Sequence, residues 1–183
     1  MEYLEGLYSI YWPKWTVNSF LVFAAALLIL CAALHRYAKD AGWKKYQELA
    51  AVGLMAYLLL VFESTVFTRP VRPDYSYELS LFWTYRWGKD LYGLRVVLQE
   101  NLLNVLMLMP LGVCLPVATG KPGAWYVVGT GFLVSFTIEF LQLVLKRGLF
   151  EWDDMFHNTL GVFAAYLVYK VLKIPCNRRK GKV

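Results

Sequence analysis

The chain has 183 residues, of which 58% are hydrophobic and only 17% are charged, and its formal net charge is +6. A typical soluble domain is about 25% charged, so this composition excludes an ordinary soluble globular protein. The positive charge does not indicate nucleic-acid binding, because the cations flank apolar runs, where they can meet anionic lipid headgroups. We therefore predict an integral membrane protein whose partners are membrane lipids and not nucleic acid.

Five runs with little or no charge are long enough to cross a bilayer, whose ~30 Å hydrocarbon core takes about 20 helical residues. They are residues 17–34, 49–67, 96–118, 123–145 and 155–172, and a basic tail follows at 173–183. No internal repeat is visible. We predict an all-α fold, a polytopic membrane helix bundle of about five transmembrane helices that forms a single domain over residues 1–183.

The distribution of cations predicts the orientation of the bundle. The loop at 35–45 contains four Lys or Arg residues and the tail contains five, so the positive-inside rule places both in the cytoplasm. Five spans then place the N-terminus outside. Residues 1–16 carry two acids and one cation, unlike the start of a signal peptide, so we expect the first helix to be retained.

The external segment between the second and third spans is rich in aromatic residues. Its centre, "YSYELSLFWTYRWGKDLY" at residues 75–92, follows two prolines and contains Trp83 and Trp87. This mixture of aromatic and charged side chains fits two interpretations, an amphipathic helix on the outer leaflet or a cap over a cavity. The sequence alone leaves both open.

Polar residues concentrate at the predicted outer end of four spans. Glu63 lies near the end of the second run, Glu100 lies at the start of the third, and the hairpin at 135–161 joins the fourth and fifth. A carboxylate inside a span costs at least ~2.5 kcal/mol, and such residues usually face partners or water and mark a functional site. We predict that this hairpin is the outward-facing centre of a polar site, with Arg147 and Asp153 at its rim.

Helical spacing arranges these polar residues into stripes. One stripe on the fourth span comprises Gly131, Ser135, Glu139 and Gln142, and one on the fifth comprises Asp154, Asn158, Gly161 and Ala165. Residues at such spacings share a helix face, and two helices joined by a short turn are antiparallel neighbours. We therefore expect the two polar faces to meet each other or a common cavity, since lipid would leave them unsatisfied.

We assign roles to these residues by their chemistry. The candidate catalytic residues are Glu139, Asp153 and Asp154, because an enzyme without a Ser or Cys nucleophile motif would use carboxylates as acid and base. The candidate substrate-binding residues are Glu63, Glu100, Asn101, Asn104, Gln142, Arg147, His157 and Asn158. Arg147 is placed either to neutralise Glu139 or Asp153, or to hold an anionic ligand group bidentately.

A packing network is the alternative to a functional site. The amides would then hydrogen-bond across helices, Glu139 would pair with a cation, and Asp153 would N-cap the fifth helix. Asp153 and His157 are four residues apart, which is a spacing for two metal ligands, but no third His and no H-E-x-x-H pattern is present. We predict no metal and no cofactor.

Two stretches resemble the VanZ-like family of bacterial membrane proteins. They are "NLLNVLMLMPLGVCLP" and "GFLVSFTIEFLQLVLKRGLFEWDDMFHNTLGVFAAYLVY", within a similarity that covers residues 60–170. The residues that carry the resemblance are Asn101, Asn104, Pro110, Leu111, Gly112, Glu139, Gln142, Arg147, Asp153, Asp154, Asn158, Thr159, Leu160 and Gly161. Where the family often has a proline in the "SLFWTYR" region, this chain has Trp83.

The resemblance implies a bacterial plasma-membrane protein of the cell envelope, in a family named for its association with teicoplanin resistance. It supplies no catalytic mechanism, so whether the protein is an enzyme stays open. Three functions compete. The first is binding or modification of an amphipathic or lipid-linked envelope ligand; the second is a non-enzymatic membrane partner or scaffold; the third is a small proton-coupled transporter.

Overall fold

A computed structural model describes residues 15–121 and 123–172. The all-α prediction is confirmed. The helices are α1 (Val17–Asp40), α2 (Lys45–Phe62), α3 (Lys89–Tyr92), α4 (Leu94–Met107), α5 (Met109–Thr119), α6 (Ala124–Val144) and α7 (Trp152–Val171). The start of the chain and the basic tail, on which part of the predicted orientation rests, lie outside the described residues.

Short non-α elements connect the helices near the predicted site. A single π-helical turn, Glu63–Phe67, continues α2, and a second one, Thr84–Gly88, leads into α3. Strand β1 (Ser76–Glu78) pairs in parallel with strand β2 (Leu149–Glu151), which lies between α6 and α7. The segment between the second and third spans is therefore joined by backbone hydrogen bonds to the hairpin at 135–161.

Four helical segments of the described chain are long and apolar enough to cross a membrane: Val17–Asp40, Lys45–Phe67, Leu94–Thr119 and Ala124–Val144. Helix α7, which corresponds to the fifth predicted span, has 20 residues but is less apolar because its first turns carry Asp153, Asp154 and Asn158. Helix α7 packs against α4, α5 and α6, so its polar side chains can face other helices instead of lipid.

The third predicted span is two helices, α4 and α5, separated at Leu108. Pro110 has no N–H to continue the hydrogen bonding of α4. The Leu111 N–H then bonds only three residues back, to the Leu108 carbonyl, at 3.1 Å. The Met107 carbonyl that this leaves free accepts a hydrogen bond from the Tyr57 hydroxyl of α2, at 2.8 Å. The helix break is therefore satisfied by a neighbouring helix, as a membrane interior requires.

Glycines allow α7 to lie very close to its neighbours. A Cβ added at Gly161 would stand 1.8 Å from the Val105 carbonyl oxygen of α4, and one added at Gly112 of α5 would stand 2.3 Å from the Val162 carbonyl oxygen. Small residues at such crossings let helix backbones approach in lipid, where dispersion contacts replace the hydrophobic effect as the driving force. The fold therefore holds one face of α7 close against three neighbouring helices.

Candidate functional site

The polar stripes of α6 and α7 face each other inside the bundle. Ser135, Glu139 and Gln142 are all buried, and Glu139 is only 2% exposed. The Asn158 side chain of α7, which is fully buried, donates a hydrogen bond to the Ser135 hydroxyl at 2.9 Å. The helix spacing that the sequence analysis used therefore places Glu139, one turn from Ser135, against the start of α7.

Glu139 and Glu151 are linked through the backbone where β2 ends and α7 begins. The Glu151 N–H donates to Glu139 Oε2 at 3.0 Å, and the Trp83 indole N–H donates to Glu151 Oε1 at 2.6 Å. Trp83 is buried. Its large ring thus covers the Glu151 carboxyl, and the segment that carries Trp83 closes the site from one side.

Five carboxyl groups form what we call the acid cluster: Glu100, Glu139, Glu151, Asp153 and Asp154. Asp154 interacts electrostatically with Glu139, Glu151 and Glu100, and Glu151 also interacts with Asp153. Glu100 is the exposed member, Asp154 is partly exposed, and Asp153 is fully buried. Carboxyl groups held this close repel one another whenever more than one of them is ionised, so the cluster favours a positive or hydrogen-bond-donating group that reaches it.

Arg69 supplies a positive charge to the acid cluster. Its guanidinium acts electrostatically on Glu100, Glu139 and Asp154. Arg147 supports it, because the Arg147 guanidinium donates to the backbone carbonyl oxygens of Phe67 and Arg69. In this structure Arg147 therefore holds the loop that carries Arg69, and Arg69 is the cation that acts on Glu139.

Asp153 binds the segment at 76–88, which we call the cap segment. Its carboxylate accepts hydrogen bonds from the backbone N–H of Phe82, from the Thr84 N–H at 3.2 Å and from the Thr84 hydroxyl at 2.7 Å. Phe82 has a φ of 61°, in the left-handed region that bulky residues rarely occupy. Charge-assisted hydrogen bonds to Asp153 hold this strained backbone in place.

The prediction that Asp153 N-caps the last helix is wrong. Helix α7 begins at Trp152, and its N-cap is Glu151, whose φ of −134° and ψ of 131° belong to the extended strand β2. Asp153 lies in the first turn, and its side chain points to another segment of the chain. Its predicted place at the rim is not observed, because its side chain is fully buried beneath the cap segment.

His157 joins the cap segment to α7. Its Nε2 lies 2.9 Å from the Tyr85 hydroxyl, and its Nδ1 lies 2.6 Å from the Asp153 carbonyl oxygen. With Trp83 and Thr84, these contacts place the segment over the hairpin. Among the described residues, no group of three His, Cys, Asp or Glu side chains is arranged to hold a metal ion.

Two of the predicted amide residues keep unused hydrogen-bonding atoms in the interior. Asn104 donates to the Asp154 carboxylate at 2.6 Å. By contrast, Nδ2 of Asn101 and Oδ1 of Asn158 are buried without a hydrogen-bond partner in the described part of the chain. A buried polar atom without a partner costs about 1–3 kcal/mol. The interior beside the acid cluster therefore retains both a free donor and a free acceptor.

Gln142 and Glu63 lie at the side of the site formed by α2. The Gln142 amide donates to the Thr65 carbonyl oxygen at 3.2 Å, within the π-helical turn that also carries Glu63. One carboxylate oxygen of Glu63 is buried without a partner among residues 15–121 and 123–172. Such π-helical turns often occur at functional sites, since they reorient the backbone within a helix.

The sequence analysis did not select Arg69, Glu151 or Thr84 as site residues. Arg69 lies in the segment between the second and third spans, and Glu151 lies two residues before Asp153. Their positions depend on contacts between segments about 70 to 80 residues apart, such as Thr84 with Asp153. The sequence signal for Glu151 is the acidic stretch at 151–154, which lies directly before the predicted fifth span at 155–172.

The pKa of Glu151 leads to a testable dependence of stability on pH. Burial, and next the charge of Asp154, raise the pKa of Glu151 from its ordinary value of 4.5 to about 9. The folded state therefore binds a proton that the unfolded state loses, and the contribution to stability is complete below pH 4.5. It declines as the pH rises and is lost above about 9. We expect Glu151→Gln to reduce the fall in thermal midpoint between pH 5 and 9.5.

Glu78, which lies opposite Glu151 in the parallel strand pair, supplies the matched control. The backbone N–H of Ser80 donates to its carboxylate and holds the pKa of Glu78 below its ordinary value. Its contribution is therefore present at neutral pH and is lost only in acid. Glu78→Gln should leave the alkaline fall unchanged. An equal alkaline fall in wild type and Glu151→Gln would contradict the assignment to Glu151.

Comparison with known proteins gives a match to one protein family. A protein-family model described as VanZ/LLP1 matches residues 20–173, which is most of the chain. No match was found among the curated proteins or among the solved structures.

Proposed function

Because the chain belongs to the VanZ/LLP1 family of membrane proteins, we propose that its acid cluster binds the polar end of an amphipathic or lipid-linked ligand of the bacterial cell envelope. The observation that carries this proposal is the excess of acceptors in the cluster. Five carboxyl groups act on one another, and the cation that acts on three of them is Arg69. Such an excess favours a ligand that brings hydrogen-bond donors or positive charge.

The unsatisfied amide atoms support the same type of ligand. Oδ1 of Asn158 is a free acceptor one turn from Asp154, and Nδ2 of Asn101 is a free donor beside Glu100. A ligand with hydroxyl and amine groups satisfies both kinds of atom. A lipoglycopeptide such as teicoplanin combines these groups with an acyl chain, and the family's association with teicoplanin resistance makes it the first probe.

Ligand entry requires movement of the cap segment, since Trp83 covers Glu151 and Glu139 is almost fully buried. The segment's strained residue, Phe82, and its π-helical turn are features from which movable elements are often built. If the ligand is modified as well as bound, Glu139 and Asp154 are the groups that can act as acid and base, with Arg69 stabilising negative charge.

Glu139→Gln tests this function directly. The substitution replaces the Glu139 carboxyl group with an amide of nearly the same shape, so we expect binding of teicoplanin to the protein in nanodiscs to weaken about tenfold or more, which corresponds to ~1.4 kcal/mol. The binding is measured by isothermal titration calorimetry. Products are analysed by mass spectrometry, which distinguishes binding from modification.

Glu48→Gln is the matched control, because Glu48 pairs with His35 at the opposite end of the bundle. It should bind teicoplanin as the wild type does. If Glu139→Gln is equally well folded and binds with unchanged affinity, the acid cluster is not the binding site. If neither the wild type nor Glu48→Gln binds teicoplanin, but both bind a lipid-linked cell-wall precursor more tightly than Glu139→Gln does, the proposed ligand class is supported and teicoplanin is not the ligand.

We place this site on the outer face of the bacterial plasma membrane, with the N-terminus outside and the C-terminus in the cytoplasm. The support is the cluster of four cations in the loop at 35–45, at the opposite end from the acid cluster. Val71 is 63% exposed and lies in the loop on the acid-cluster side. A cysteine at this position, in a chain without its native cysteines, should react with a membrane-impermeant thiol reagent in intact cells; labelling only after lysis would reverse the orientation.

A scaffold role is the second candidate, favoured by the polar contacts that join separate helices. Asn104 binds Asp154, Asn158 binds Ser135, and Asp153 binds the cap segment. Under this role, Glu139→Gln lowers the thermal midpoint and the recovery of a protein complex, and no small ligand binds. A monodisperse protein with no co-purifying partner contradicts it.

A further inference from the structure

An apolar groove lies away from the acid cluster, where α1 and α5 flank α2. Its volume is about 340 Å³, within the range of ~300–1,000 Å³ that is usual for ligand sites. The side chains that form it include Leu30, Trp43, Ala51, Leu58, Phe62 and Ala118. The two alanines leave space at the crossing of α2 and α5, where larger residues would fill it.

The groove runs along α2. From Ala51 to Phe62 the helix rises about 16 Å at 1.5 Å per residue, which is about half of the ~30 Å hydrocarbon core and so about the depth of one leaflet. Trp43 lies before the first residue of α2, at the end where the Gln47 amide donates to the Ala118 carbonyl oxygen. Tryptophan is enriched at the headgroup level, so this end of the groove corresponds to the membrane surface.

The described residues give the same end a net positive charge. Five exposed cations lie in the last two turns of α1, at the start of α2 or just after α5: Arg36, Lys39, Lys44, Lys45 and Lys121. The nearby acids are Asp40 and Glu48, and Glu48 is paired with His35. The surface around the entrance therefore has an excess of positive charge, whereas the acid cluster occupies the other end of the bundle.

We propose that this groove binds one acyl chain of an anionic phospholipid, whose phosphate group is held by Lys44 and Lys45. The apolar lining matches the chain, the length along α2 matches one leaflet, and the cations match the headgroup. An apolar helix from another protein would fill the groove without using this charge. Each Lys or Arg near an anionic headgroup contributes about fivefold in affinity, so the charge selects the lipid class.

The test measures lipid retention by native mass spectrometry, with the protein released from nanodiscs of equimolar phosphatidylglycerol and phosphatidylcholine. We expect wild type to retain one phosphatidylglycerol molecule at least fivefold more often than phosphatidylcholine. The double variant Lys44→Gln/Lys45→Gln should still retain one lipid but lose this preference. Ala51→Phe, which fills the groove, should lower the retention of both lipids at least fivefold.

Leu49→Phe is the matched control, because Leu49 is 73% exposed on another face of α2 and outside the groove. It should retain lipid as the wild type does. If Ala51→Phe lowers the thermal midpoint, Met55→Trp replaces it as the test variant, because it fills the groove from another position. Equal retention of both lipids by wild type, or unchanged retention by both filled variants, overturns the proposal. A dimer that the filled variants dissociate also overturns it and assigns the groove to a second copy.

Discussion

Gly161→Ala should prevent α7 from packing against α4 and should cost about 4 kcal/mol or more of unfolding free energy. The added Cβ would stand 1.8 Å from the Val105 carbonyl oxygen and 2.8 Å from its carbonyl carbon. These are backbone atoms of a helix, so they cannot turn aside as a flexible side chain could. The free energy of unfolding is measured by titration with sodium dodecyl sulfate in mixed micelles.

Gly129→Ala is the matched control for this substitution. Gly129 lies within α6, and a Cβ added there would meet nothing within 4 Å. Because alanine has a higher helix propensity than glycine, this variant should be neutral or more stable by about 0.5–1 kcal/mol. If Gly161→Ala is as stable as Gly129→Ala, α4 and α7 do not cross as closely as the structure has them.

Asp153→Asn should release the cap segment while leaving the helices folded. The carboxylate accepts hydrogen bonds from the N–H groups of Phe82 and Thr84 and from the Thr84 hydroxyl. Asparagine loses the charge and turns an NH₂ group towards one of these donors. Since a hydrogen bond to a charged group contributes about 1.5–3 kcal/mol, we expect docking of the segment to weaken by ~3 kcal/mol or more.

Trypsin cleavage at Arg86 and Lys89 measures this release, because both residues are exposed, Arg86 lies within the cap segment and Lys89 directly follows it. When opening is fast compared with cleavage, a loss of ~3 kcal/mol raises the cleavage rate about 100-fold. Asp74→Asn, which changes an exposed acid outside the cap segment, is the control and should be cleaved at Arg86 and Lys89 at the wild-type rate. Wild-type cleavage of Asp153→Asn would contradict the role given to this carboxylate.

The helices could be predicted because their signals are local. Apolar runs of about 20 residues mark the spans, and the spacing from Gly131 to Gln142 and from Asp154 to Ala165 marks the faces that turn inward. The break at Leu108 also has a local cause, Pro110, but the sequence analysis treated residues 96–118 as one span. A proline in a membrane helix does not by itself decide between a kink and a break, because the Tyr57 hydroxyl that satisfies Met107 lies 50 residues away.

The cap segment could not be predicted in the same way, because it has no periodicity. Its strand β1 has three residues and exists through pairing with β2, and its π-helical turn is held by Asp153 and His157. The position of Arg69 depends in turn on Arg147, which binds the carbonyl oxygen of Arg69 from the hairpin. These features result from tertiary contacts between distant segments, and neither the composition nor the residue spacing predicts them.

The central position of α7 has a consequence for how the protein is made. A segment with Asp153, Asp154 and Asn158 in its first turns is poorly suited to leave the translocon for lipid on its own, because acidic residues oppose insertion. Its polar face finds partners on α4 and α6, through Asn104 and Ser135. Both of these helices precede α7 in the chain, so the ribosome delivers the surfaces that shield α7 before α7 itself is synthesised.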